Sequence, residues 1–182
     1  MKIAALVLAV LLLAGCGGGS KKSAAGLPGT LTFKTTEGTF KVSVDAKDSP
    51  NLAASFEKLV KKGFFNGTIF HRIVPGFVIQ GGDPTGTGTG GPGYTTVDVP
   101  PSTTKYTHGV VAMAKTETQA SGTAGSQFFV VTANDAGLSP IYAVLGKVVS
   151  GLDVVDRIGK FGNASEQPTK RIVVQKVTFA AT

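Results

Sequence analysis

Phe70-His71-Arg72-Ile73-Val74-Pro75-Gly76-Phe77-Val78-Ile79-Gln80-Gly81-Gly82-Asp83 is an apolar stretch that nevertheless carries a guanidinium and a carboxamide. Pro75-Gly76 marks a turn, so the flanks read as two short strands, Ile69 to Ile73 and Phe77 to Gln80, paired around it. Paired in this way, Arg72 and Gln80 can face one groove that is otherwise hydrophobic. A surface ion pair is the bland explanation for an arginine. One embedded between Phe70, Ile73 and Phe77 favours a functional role.

The same punctuation continues outward. Leu31, Phe33 and Thr35 alternate with polar positions, Thr36-Glu37-Gly38 turns the chain, and Phe40, Val42 and Val44 resume the alternation, which predicts a β-hairpin. Further short apolar runs occupy Val110 to Ala114, Gln127 to Val131, Ala143 to Val149 and Ile172 to Phe179. Helical spacing occurs twice. Ser49 as N-cap and Pro50 as first helical residue open a segment with Leu52, Phe56, Leu59 and Val60 on one face, closed by Gly63. Ser150 is the expected cap of a shorter helix that turns Leu152, Val155 and Ile158 inward. About eight strands and two helices predict a mainly β fold, a closed eight-stranded antiparallel barrel capped by two helices, because closure removes exposed edges. The 25 glycines and absence of tryptophan agree with a turn-rich chain.

The beginning of the chain has a different character. Lys2 precedes an unbroken apolar run from Ile3 to Ala14, shorter than the roughly 20 residues that cross a bilayer and of the length of a signal-peptide core. It ends in Leu13-Ala14-Gly15-Cys16, which resembles the lipobox of bacterial lipoproteins. That resemblance implies cleavage before Cys16 and lipidation of its thiol, and it accounts for the chain's single cysteine, which can form no internal disulfide. Residues 17 to 29 are Gly, Ser, Ala and Lys with few large apolar side chains, the composition of a tether. The expected organisation is a signal peptide over 1–15, a lipid-anchored flexible linker over 16–29 and one folded domain over 30–182, held outside the cytoplasm on a bacterial cell membrane or envelope.

Other chemistries find little support. The formal charge is +7, but Lys21 with Lys22, Lys58 with Lys61 and Lys62, and Lys170 with Arg171 do not alternate with aromatic residues, so a solvated basic surface is expected rather than nucleic-acid binding. The helix dipole explains Lys58, Lys61 and Lys62 in the last turns of the first helix. His71 and His108 lack an evident third ligand, so no metal site is expected, and no Ser stands in a G-x-S-x-G elbow. Gly86, Gly88 and Gly91 match G-x-G-x-x-G, yet Pro92, Gly93 and Pro100-Pro101 follow where a dinucleotide fingerprint would open a helix. That segment reads as a loop. Asn66-Gly67-Thr68 and Asn163-Ala164-Ser165 are glycosylation acceptors only in a host that glycosylates them.

The opening stretch resembles the signature of the cyclophilins, peptidyl-prolyl cis-trans isomerases. The similarity continues through Gly86-Thr87-Gly88-Thr89-Gly90-Gly91, Met113-Ala114, Ser126-Gln127-Phe128-Phe129 and Gly146-Lys147-Val148 and covers the chain from about Thr30 to its end. The resemblance implies the barrel already inferred from pattern. It also implies an enzyme that rotates X-Pro peptide bonds of exported polypeptides without nucleophile or cofactor. Arg72 then corresponds to the catalytic residue and Gln80 to a ligand of the substrate backbone. Phe77, Val78, Phe129, Leu138 and Tyr142 line the proline pocket, while Gln127 and the backbone at Ala114 and Lys115 take the rest of the peptide. Without the resemblance, core packing would be the preferred account of Phe77 and Phe129.

One departure matters. Human-type cyclophilins place a Trp one residue before the position matched by Leu138 and a His at that of Tyr142; Gly137 stands at the first place here. Loss of that hydrogen-bonding wall implies weak binding of cyclosporin with retained isomerase activity. A catalytically weak proline-peptide-binding or chaperone module of the same fold is the main alternative, and the pairing of Arg72 with Gln80 favours catalysis. A solute-binding lipoprotein would need two lobes and more chain. A monomer is expected.

Overall fold

The computed structural model describes residues 26–182. The expected signal peptide, Cys16 and most of the expected linker lie outside these residues. Among the described residues the ten strands are β1 (Gly29–Thr35), β2 (Gly38–Val44), β3 (Arg72–Val74), β4 (Val78–Gly81), β5 (Thr96–Val97), β6 (Val110–Met113), β7 (Thr123–Ala124), β8 (Phe128–Val131), β9 (Val144–Ser150) and β10 (Val174–Ala181), and the helices are α1 (Pro50–Lys61) and α2 (Leu152–Gly159).

Eight strands form one antiparallel sheet in the order β10-β1-β2-β9-β6-β8-β4-β3. It curls until its edges approach. There Phe70 N donates to Ile172 O at 3.2 Å and Val174 N to Thr68 O at 2.8 Å, around a single Ile69–Val173 bridge. The residues expected to begin the strand at Ile69 are spent on this closure, and β3 starts only at Arg72. The fold is therefore the expected mainly β one, curled into a barrel with a short seam. Outside the sheet, β5 and β7 form a two-residue ribbon that no periodicity announces.

The helices cover the barrel, α1 packing on β10 and α2 on β2, β3 and β4. The α1 face of Leu52, Ala53, Phe56, Leu59 and Val60 is buried, as is the α2 face of Val154, Val155 and Ile158. Their caps differ from expectation. Ser49 does precede α1, but its buried side chain makes no capping bond; the carboxylate of distant Asp98 accepts from Leu52 N at 2.6 Å and Asn51 Nδ2 at 2.8 Å. Its negative charge suits the positive end of the helix dipole better than a hydroxyl does. Ser150 likewise ends β9 and caps nothing. Gly151 stands at the N-cap of α2 with φ 76°, where a Cβ would lie 2.4 Å from Thr39 O, so only glycine fits.

All four residues of β6 and all four of β8 are buried, because both faces of these strands are covered. Val111, Met113, Phe128 and Val130 point into the barrel with Phe33, Phe40, Phe56, Phe65 and Phe70. Phe33 and Phe40 stack there with centroids 4.8 Å apart. Val110, Ala112, Phe129 and Val131 face outward into a second cluster with Val78 and Tyr106. That outer cluster builds the site.

Candidate active site

Strand register decides which side chains meet. Antiparallel pairing sets Arg72 opposite Gln80, Gln80 opposite Phe129 and Phe129 opposite Ala112, so one transverse row crosses β3, β4, β8 and β6 on the outer face. Side chains on one face of neighbouring strands lie close enough to touch. Arg72, Phe77, Val78, Gln80, Ala114, Lys115, Phe129, Leu138 and Tyr142 thus line one cavity of about 220 Å³. Every site residue expected in the barrel domain lies on it except Gln127. That residue lines a neighbouring cavity of about 590 Å³, which shares Gln80, Ala114 and Lys115 with the first.

The floor of the smaller cavity is aromatic and fixed. Phe129 meets Tyr142 edge-on, with centroids 5.6 Å apart at 87°. Behind them the buried Tyr106 hydroxyl donates to Tyr142 O at 2.7 Å and accepts from Tyr142 N at 2.9 Å, which pins the wall through its backbone. Burial raises the Tyr106 phenol above its ordinary pKa, so it remains a donor at neutral pH. The Lys115 ammonium lies 5.8 Å from the Tyr142 ring centroid and donates to Thr116 O and Gln119 O.

The rim is a continuous polar chain. Arg72 Nε donates to Glu166 Oε2 at 2.6 Å, and Nη1 donates to Gln80 Oε1 at 3.2 Å. Gln80 Nε2 donates to Gln127 Oε1 at 3.0 Å, and Gln127 Nε2 donates to Gly88 O and Gly90 O, both at 2.9 Å. Among the described residues Arg72 Nη2 makes no hydrogen bond, and Arg72 lines the cavity.

Gly88 and Gly90 belong to the loop that matches G-x-G-x-x-G, and a buried carboxylate organises it. Asp83 Oδ1 accepts from Thr85 N and Oγ1, while Oδ2 accepts from Gly88 N at 2.6 Å and Gly90 N at 3.0 Å. Burial pushes this carboxyl up, but the bonds from Gly90, Thr85 and Gly88 together outweigh it and lower it from 3.8 to about 2. A Cβ on Gly90 would lie 2.1 Å from Asp83 Oδ1. The glycines therefore let the backbone close on an internal anion rather than on a phosphate.

His71 and His108 take no part in the cavity lining. Both ring nitrogens of His71 are buried without a hydrogen-bond partner among the described residues, and burial lowers its pKa, so the ring is neutral at pH 7. His108 Nε2 meets Asp156 Oδ1 at 2.7 Å. Among the described residues, no group of three or more His, Cys, Asp or Glu could hold a metal ion.

Four participants were not anticipated as site residues: Asp83, Tyr106, Glu166 and the wall from Gly88 to Tyr94. Asp83 carried a usable signal, an Asx-type turn before a Gly/Thr run. Glu166 carried none, since it is brought to Arg72 from 94 residues away.

A barrel with an aromatic-floored, arginine-rimmed cavity on its outer face is the class of protein that fold and site define. Residues 30–179 match the model of the family described as cyclophilin type peptidyl-prolyl cis-trans isomerase, and the chain belongs to that family. It is 47% identical over 107 residues to peptidyl-prolyl cis-trans isomerase B of Bacillus subtilis, covering 58% of this chain and 72% of the relative. It is 41% identical over 130 residues to a peptidyl-prolyl cis-trans isomerase of Helicobacter pylori, covering 70% and 78%. A cyclophilin-type isomerase of Cryptosporidium parvum, crystallised in the presence of the dipeptide Ala-Pro, superposes with a TM-score of 0.77 at 29% identity, over 84% of this chain and 99% of that one.

Proposed function

We propose that this isomerase works through Arg72 on proline-containing segments of exported proteins, tethered by a lipid on Cys16. The arrangement of the Arg72–Gln80 pair at the rim of the aromatic-floored cavity carries the catalytic part. The prolyl bond resists rotation by about 18–20 kcal/mol because its C–N bond has partial double-bond character. No bond has to break. The cavity holds the proline ring against Phe129 and Tyr142, while Arg72 donates toward the prolyl nitrogen or the rotating carbonyl and so favours the twisted state in which amide resonance is lost. Glu166 and Gln80 already hold the guanidinium in place, which lowers the cost of orienting it. Gln80 takes the substrate backbone. Ala114 N is engaged with Gln127 O, so a peptide docking there as an added strand would use the Ala114 carbonyl. The Ala-Pro dipeptide of the Cryptosporidium relative agrees with this class of ligand.

The localisation rests on sequence alone. The run from Ile3 to Ala14 followed by Leu13-Ala14-Gly15-Cys16 supports signal cleavage and lipidation. Among the described residues no helix is long and apolar enough to cross a membrane. Mass spectrometry of the mature N-terminus tests it: an acylated Cys16 is expected, and an intact Met1 would refute it.

The catalytic proposal is tested by a prolyl-isomerisation assay on parent and Arg72→Ala, with circular dichroism on both. A folded variant whose kcat/KM falls on the order of a hundredfold is expected, in line with loss of a transition-state donor. A folded parent that binds proline peptides without turnover would establish the binding-module alternative instead.

A further inference from the structure

We propose that Glu166 is the positioning residue of this active site, holding the Arg72 guanidinium so that its outer nitrogens face the cavity; this rests on Arg72 being the catalytic residue. Three independent features converge on it. Its carboxylate takes Arg72 Nε at 2.6 Å, the one guanidinium nitrogen that faces back along the side chain. Its carbonyl accepts from Ile73 N at 2.9 Å, so the same residue also grips the strand next to Arg72. And it has φ 62°, the only positive φ at a non-glycine among the described residues.

That third feature gives the assignment its weight. A residue with a Cβ is strained in this region, glycine is not, and strain persists where the surroundings over-determine it. The surroundings here do so. Asn163 Oδ1 accepts from Ser165 N and Gln167 N, Asn163 O accepts from Glu166 N, and a Gly162–Pro168 bridge closes the loop behind them. A loop built this tightly around a left-handed residue would be better served by glycine for folding alone. Glutamate supplies what glycine cannot, an oxygen acceptor for Arg72 Nε.

Arg72 is thereby held from two sides, by Glu166 at Nε and by Gln80 at Nη1. With only Gln80 it could swing about its terminal torsions and populate orientations that do not reach the prolyl amide.

The experiment measures kcat and KM for a short Ala-Pro peptide on the full chain in detergent, in the parent, Glu166→Gly, Glu166→Gln, Arg72→Ala and the double variant Glu166→Gly/Arg72→Ala, with Tm for each. Glu166→Gly is expected to lower kcat on the order of tenfold while KM stays within about twofold, because orientation and not peptide binding is lost. Its Tm should equal or exceed that of the parent, since glycine relieves the φ strain. Glu166→Gln keeps an oxygen acceptor for Nε and should recover most of kcat. In the Arg72→Ala background Glu166→Gly should add no further loss.

A Glu166→Gly variant with parental kcat overturns the inference, as does a loss that comes with a lowered Tm and persists without Arg72. An inactive parent, or Arg72→Ala with parental kcat, overturns the proposed function itself. Those two outcomes involve no change at 166, so the failures are told apart.

Discussion

Replacing Asp83 by Asn removes one negative charge at constant size and should loosen the glycine loop from beneath. In the parent each carboxylate oxygen accepts two hydrogen bonds, and an amide can offer only one such oxygen; its NH₂ would face two of the four donors. Lowering the carboxyl from 3.8 to about 2 corresponds to roughly 2 kcal/mol of native-state stability. The stranded donors give an independent figure of about 1–3 kcal/mol. Urea unfolding at pH 7 should therefore separate parent and variant by about 2–3 kcal/mol, or about 4–12 °C in Tm for a domain of this size. The sign of the pH dependence follows from the depressed value. The charge's contribution is complete above the unfolded pKa near 3.8 and is lost as pH falls through about 2. The gap should stay constant down to about pH 4 and narrow toward pH 2. No gap at pH 7, or one that does not shrink on acidification, would refute the assignment of Asp83 as the loop's organising anion.

Asp98→Ala should cost about 1–2 kcal/mol, because it leaves Leu52 N and Asn51 Nδ2 without their acceptor at the start of α1; chemical denaturation checks it, and Ser49→Ala should cost less. Tyr106→Phe removes both hydroxyl bonds to Tyr142 and should lower stability by about 1–3 kcal/mol while raising KM for an Ala-Pro peptide, read by unfolding and steady-state kinetics. Cyclosporin should inhibit weakly, since Gly137 offers no indole; nanomolar inhibition in the isomerase assay would contradict this.

Much of the fold was legible because its strands are short and punctuated. The alternation of Leu31, Phe33, Phe40 and Val42 locates the hairpin directly, and Pro75-Gly76 fixes the register that sets Arg72 opposite Gln80. The errors occur where long-range partners replace local ones. Ser49 and Ser150 are good caps by local rule, but Asp98 reaches Leu52 N from 46 residues away and the Thr39 carbonyl leaves room only for Gly151. The β5–β7 ribbon is two residues wide and below the reach of any period. The cavity lining was legible through family resemblance rather than pattern, since Leu138 and Tyr142 lie in an irregular segment. Glu166 could not be found from sequence: it is one acidic residue in a polar loop, and its distinction is a backbone angle.

The two-sided burial of β6 and β8 has a consequence for how such an enzyme diversifies. Residue by residue along β8, Phe128 and Val130 belong to the interior, whereas Phe129 and Val131 belong to the outer cluster, and of the four only Phe129 lines the cavity. Heritable variation at alternate positions therefore falls on separate traits. A change at 129 alters the cavity wall directly, while its neighbours at 128 and 130 keep their places in the barrel core. Because Phe129 is itself buried, changes that conserve its volume are the ones this wall can take without losing packing.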